Sequence, residues 1–208
     1  MTDSRSAWDQ DYISRGRLWG GNPALLPDVV AGASVLELGS GSGKTLHALM
    51  NRSCDITAID FSKKAAEMSY RIITKYHAGD ALVADARGLP FVNDAFGVVV
   101  ASHVIGHMQY DDRVTIVSEA ARVLQPDGRL FFVEFSVDDM RNGTGREVED
   151  ATFQRGKGII THYFTEPEVE ALFSMLKKES VFSRHWKMRV RGRDLLRAEI
   201  SGIFSKSC

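Results

Sequence analysis

Three acids and a run of alternate glycines carry the first chemistry in this chain. Glu37 lies in the apolar run Val35-Leu36-Glu37-Leu38, and Gly39, Gly41 and Gly43 follow at alternate positions. Glycines spaced in this way let the backbone take positive φ and let a ligand approach where a Cβ would intrude. A helical pattern opens at Lys44-Thr45, so its first-turn N–H groups point at the same ligand. Asp60 ends the run Asp55-Ile56-Thr57-Ala58-Ile59, 17 residues beyond Gly43, and Asp85 follows Ala81-Leu82-Val83-Ala84. An open α/β sheet binds its ligand at the carboxyl ends of its strands, where these three acids would gather. Each has a plainer alternative: Asp60 as a helix cap, although Ser62 already supplies one, and Asp85 as a turn aspartate.

A second group of residues can move protons: His103, His107, Tyr110, His162 and Tyr163. These are the candidates for a general base, with packing or helix-start roles as the alternative for each. His103 and His107 stand four apart and resemble half of a metal site, but no cysteine or carboxylate completes the ligand set, so no metal is expected. Glu134 could bind a cationic acceptor, or pair with Arg129 or Lys187.

The glycine turn admits three nucleotide chemistries. Gly43-Lys44-Thr45 reads as the end of a P-loop, whose first glycine would stand at position 38, where this chain has Leu38. The dinucleotide fingerprint G-x-G-x-x-G would need a glycine where Lys44 stands. What remains is G-x-G-x-G after Glu37, which resembles motif I of the class I S-adenosylmethionine-dependent methyltransferases. Three further stretches resemble that family. Asp85-Ala86-Arg87-Gly88-Leu89-Pro90-Phe91, with Asp94 and Phe96 beyond, is similar to its adenine-binding turn. Ser102-His103-Val104-Ile105-Gly106-His107-Met108 is similar to its fourth-strand exit, and Leu124-Gln125-Pro126-Asp127-Gly128-Arg129 to its approach to the fifth strand.

The resemblance implies S-adenosyl-L-methionine as cofactor, with Glu37, Gly39, Ser40 and Gly41 at the turn. It implies Asp60 on the ribose hydroxyls, Phe61 beside the adenine, Asp85 on the adenine amine, and the Ala86 backbone at the ring edge. Ser102 would face the methionine part. Trp8, Tyr12, Trp19 and Pro23 resemble the W-D-x-x-Y…W-G-x-x-P opening of small methyltransferases, so Trp19 is expected on a lid over the cofactor, with packing as the alternative.

The elements needed to position these residues fit one α/β domain over 1–208. Residues 1–33 form a helical lid, with a second helix starting near Asn22, and 34–135 form the cofactor-binding core. The glycine- and charge-rich stretch 136–164 reads as an irregular acceptor-side loop. Thr165 and Pro167 start a helix running to about Lys178. Two strands from Glu179 to Lys206 turn around Arg191-Gly192, with Leu196, Ala198 and Ile200 on one face and Arg197 and Glu199 on the other. The fold expected is a Rossmann-like sheet of seven mostly parallel strands, with helices on both faces and a C-terminal antiparallel hairpin.

Composition narrows the class of partner. A net charge of −1 gives no global steering toward nucleic acid or acidic membranes. No apolar run approaches the about 20 residues of a membrane span, and the polar start Met1 to Asp11 is unlike a signal peptide. Two cysteines, Cys54 and Cys208, make no disulfide framework, so a cytoplasmic location is expected. For a methyltransferase these features favour a small-molecule acceptor. RNA is the alternative, through the basic hairpin of Arg184, Lys187, Arg189, Arg191, Arg193 and Arg197. A P-loop nucleotide hydrolase, in which Lys44 would be essential rather than a tolerant surface position, and a non-catalytic binding protein are the further alternatives.

Overall fold

The computed structural model describes residues 4–16, 28–50, 52–76, 79–156 and 158–207. Helix α1 (Ser4–Arg15) precedes β1 (Ser34–Leu38), α2 (Lys44–Leu49), β2 (Asp55–Asp60), α3 (Lys63–Tyr76), β3 (Gly79–Val83) and β4 (Phe96–Ser102). Then come α4 (Tyr110–Val123), β5 (Leu124–Phe135), the short strands β6 (Arg146–Glu149), β7 (Thr152–Arg155) and β8 (Ile159–His162), and α5 (Glu166–Leu172). Strands β9 (Lys177–Val190) and β10 (Arg193–Ser205) end the chain. Among the described residues no helix is long and apolar enough to cross a membrane.

One sheet of seven strands runs in the order β3-β2-β1-β4-β5-β10-β9. The first five are parallel, while β10 is antiparallel to both β5 and β9. Alternation along β1 explains why both faces are covered. Val35 faces a core with Leu46, Leu49, Ile56 and Ile73, whereas Leu36 and Leu38 face the core of Val99, Ile116, Val123, Phe132 and Phe173. Helices α2 and α3 therefore pack on one face and α4 and α5 on the other. The central strand β4 is buried on both sides, as its run of valines requires. The strand order turns back between β1 and β4, and a crevice opens at that switch point.

Two expectations are corrected. The stretch 136–164 is not irregular: β6, β7 and β8 form a separate antiparallel sheet of three strands. Its polar residues sit on short strands with one face toward solvent, which leaves little apolar alternation to see; Phe153 and Tyr163 pack below it against Phe135. The helix after Thr165 stops at Leu172 rather than near Lys178. Phe173 stacks on Phe204 with ring centroids 4.4 Å apart, and the chain turns there into a first hairpin strand that begins at Lys177. The start expected for that helix is present, since the Thr165 hydroxyl accepts from the Glu168 N–H. The helix expected near Asn22 lies outside the described residues.

Candidate functional site

The glycine turn joins the end of β1 to the start of α2. Gly39, Gly41 and Gly43 have φ of 63°, 54° and 80°, in the left-handed region that glycine adopts without strain. A Cβ on Gly41 would stand 2.6 Å from the Tyr12 hydroxyl, so α1 lies directly over the turn. Asp60, at the end of β2, ties the turn to the neighbouring strand. Its Oδ2 accepts from the Gly41 N–H at 2.9 Å and its Oδ1 from the Ser62 N–H at 2.9 Å. Burial raises the Asp60 pKa to about 6, against the lowering effect of those two N–H donors.

Two adjoining cavities meet at this turn. The first is lined by Asp60, Phe61, Asp85, Ala86 and Trp8, and it shares Gly39 and His103 with the second. The second, of about 360 Å³, is lined by Glu37, Ser40, Gly41 and Ser102 on the turn side and by Phe135, Trp186, Arg197 and Glu199 from β5, β9 and β10. Every residue assigned to the cofactor by the sequence thus borders one of the cavities, except Trp19, which lies outside the described residues. Lys44 is half-buried and borders the second cavity, rather than being a free surface position.

The acids differ in state. Glu37 is 3% exposed, and its Oε2 has no hydrogen-bond partner among the described residues. Burial raises its pKa to about 8, despite a hydrogen bond from the Thr45 hydroxyl. Asp85 instead lies against Arg87, with Oδ2 2.7 Å from Nη2, and that guanidinium holds it below the usual carboxylate range.

The proton-transfer candidates separate into two groups. His103 borders both cavities, with φ of 53°, a left-handed conformation uncommon for a residue other than glycine. Its Nε2 is 3.2 Å from Glu199 and its Nδ1 is 3.7 Å from Glu134, and its ring lies 4.4 Å from that of Phe135. Burial alone would depress its pKa, but the two carboxylates outweigh burial and raise it. Glu134 is paired with neither Arg129 nor Lys187; it accepts from the Gly106 N–H at 2.8 Å, while Arg129 pairs with Glu179. His107 also borders both cavities. Its Nδ1 lies 2.7 Å from the Ile160 carbonyl, so Nδ1 carries the proton, and burial lowers its pKa. His162 and Tyr163 border neither cavity. His162 is buried between Thr152 and Glu168, and the Tyr163 hydroxyl accepts from Arg155. Tyr110 is exposed at the start of α4.

Sequence reasoning missed Trp186 and the inward turn of Glu199. The alternation of β10 separates Glu199 from Ala198 and Ile200, but it does not tell that the Glu199 side faces a cleft. Glu199 is 5% exposed.

A parallel sheet of this order, with a glycine turn after its first strand and acids at the ends of the next two, is the scaffold of the class I methyltransferases. Residues 36–132 match the protein-family profile described as a methyltransferase domain. Over that stretch, just under half of its length, the chain is similar to the S-adenosylmethionine-dependent methyltransferases. It is 26% identical over 236 residues to a tRNA N(3)-methylcytidine methyltransferase of Drosophila melanogaster, covering 99% of this chain and 72% of that protein. It is 31% identical over 134 residues to a 27-O-demethylrifamycin SV methyltransferase of Amycolatopsis mediterranei, covering 62% of this chain and 48%, about half, of the relative. A solved structure of a 1,6-didemethyltoxoflavin-N1-methyltransferase from Burkholderia thailandensis, with that compound and S-adenosylhomocysteine bound, aligns with a TM-score of 0.75. It covers 99% of this chain and 88% of that one at 18% identity, which shows a shared fold.

The residues of the two cavities fit S-adenosylmethionine. Glu37 Oε2 is a buried acceptor without a partner, suited to an ammonium group. The Asp60 oxygens each accept one bond and keep lone-pair capacity for ribose hydroxyls. Phe61 and Ala86 border the first cavity with apolar surface for a flat ring.

Proposed function

We propose that the chain transfers the methyl group of S-adenosylmethionine, by in-line displacement, to a nitrogen of a small flat heterocycle held in the second cavity. One observation carries this reading: His103, Phe135 and Trp186 line the same cavity of about 360 Å³ as the glycine turn. These rings give the cavity an aromatic wall against which a flat ring packs. Glu199, Arg184 and Arg197 border the same space and supply the few polar partners that fix orientation.

When bound, the cofactor supplies an electrophilic methyl carbon with a neutral thioether as its leaving group. The protein's task is to align the acceptor and exclude water. Tyr12 and Trp8 of α1 cover the turn side, and Phe135 and Trp186 cover the acceptor side. An acceptor nitrogen that carries a proton must lose it, and His103 is positioned to take it, with Glu199 and Glu134 stabilising the imidazolium that results.

The test is methyl transfer from labelled S-adenosylmethionine to free nucleobases, nucleosides and fused pyrimidines, and in parallel to total tRNA. The expected result is label on a ring nitrogen of a free heterocycle, with kcat at least tenfold lower in His103→Gln and S-adenosylhomocysteine affinity within twofold of wild type. Label on an oxygen or carbon acceptor would overturn the reading.

A second reading places the heterocycle in tRNA. The Drosophila relative, named for N(3)-methylcytidine in tRNA, aligns with 99% of this chain. Arg191 and Arg193 are exposed at the β9–β10 turn, where they could meet phosphates. Label in tRNA and none on free heterocycles would favour it.

A further inference from the structure

We infer that a third cavity, between α1 and the β7–β8 hairpin, is an oxyanion subsite that binds a phosphate or carboxylate group carried by the acceptor. The inference rests on the heterocycle reading above and adds the charge class of the substrate. The cavity has a volume of about 410 Å³, and Arg141 and Arg155 both line it.

The two guanidiniums are aimed rather than loose. Arg141 Nε donates to Asp139 Oδ1 at 2.8 Å, and its Cζ sits 3.9 Å above the centre of the Phe135 ring. Arg155 Nη2 donates to the Tyr163 hydroxyl at 2.7 Å. Both guanidiniums border this space, and an oxyanion is the acceptor that satisfies a guanidinium best. Asp139 is already shared, because Arg197 Nε also donates to it at 2.7 Å. Two guanidiniums, Arg141 and Arg155, and one carboxylate, Asp11, line this space.

The position links the subsite to the reaction. Trp8, His107 and Phe135 line both this cavity and the second one. A ligand held in the second cavity can therefore extend an anionic substituent past this shared wall to Arg141 and Arg155. A phosphorylated heterocycle and a heterocyclic carboxylic acid share this chemistry.

Calorimetry on the protein saturated with S-adenosylhomocysteine tests the inference, titrating inorganic phosphate and, separately, acetate at constant ionic strength. Saturable binding of at least one ion is expected, weakened at least tenfold in Arg155→Gln while S-adenosylhomocysteine affinity stays within twofold of wild type. Phosphate alone assigns a phosphate group, and acetate alone a carboxylate. If neither ion binds saturably, or if Arg155→Gln binds them as wild type does, the subsite is overturned. Should that variant fail to fold, modification of Arg155 by phenylglyoxal in the wild type decides: the binding ion must slow it relative to chloride, and equal rates overturn the proposal. Failure of the wild type to bind S-adenosylhomocysteine would instead count against the cofactor reading, and it is measured first.

Discussion

Asp60 Oδ2 accepts a hydrogen bond from the Gly41 N–H at 2.9 Å, so the acid that ends β2 holds the turn that ends β1. The same carboxylate fixes the Ser62 N–H at the entry to α3. One side chain thus sets the distance between two strand ends. Asp60→Asn keeps one acceptor oxygen and has to abandon one of the two N–H groups. The variant is expected to lose about 1 kcal/mol of stability, the net worth of a buried hydrogen bond, and at least tenfold in S-adenosylhomocysteine affinity. Denaturant melts and calorimetry measure the two, and undiminished affinity would remove Asp60 from the site.

Glu37 is expected to couple cofactor binding to protons. Its pKa of about 8, raised first by burial, keeps it mainly protonated at pH 7 in the free protein. A cationic group arriving beside it favours the ionised form, so S-adenosylhomocysteine binding at pH 7 should release a proton. Calorimetry in buffers of different ionisation enthalpy reads that number, which should fall in Glu37→Gln. The same shift makes stability of the free protein decline with pH. The folded state holds this proton between the usual carboxylate pKa and about 8, while the unfolded chain has already lost it.

Gly41 and α1 are expected to be coupled. An alanine at φ 54° carries the left-handed penalty of about 1–2 kcal/mol, and its Cβ would also meet the Tyr12 hydroxyl at 2.6 Å. Tyr12→Phe removes that oxygen. The double variant should therefore be less destabilised than the sum of the two single variants, by at least 0.5 kcal/mol on the scale of coupled neighbours. Additive losses would show that α1 does not rest on the turn in solution.

What the sequence made legible was local. The glycine turn, Asp60 and Asp85 could be placed because each lies within a few residues of the strand end that positions it. Glu199 could not, because the alternation of β10 assigns it a face, and only the pairing of β10 with β5 brings that face to His103. The sheet of β6, β7 and β8 was hidden for a related reason. Its strands are four residues each, and residues such as Arg146 and Glu147 face solvent, so the apolar period never develops. The end of α5 is set by Phe173 stacking on Phe204, a contact between residues 31 apart.

His103 supplies the last prediction, which needs no acceptor to test. Burial works against its imidazolium, but Glu134 and Glu199 reverse the sign and raise its pKa above the usual histidine value. A group raised in this way adds stability that is fully present below the unfolded pKa of about 6.5 and lost as pH rises through the folded value. His103→Gln should therefore cost more stability at pH 6 than at pH 9. The comparison is made between variant and wild type at each pH, which cancels the slope contributed by Glu37. If His103→Gln costs the same at both pH values, the imidazole is not held by the two carboxylates. Its role as proton acceptor would then lose its physical basis.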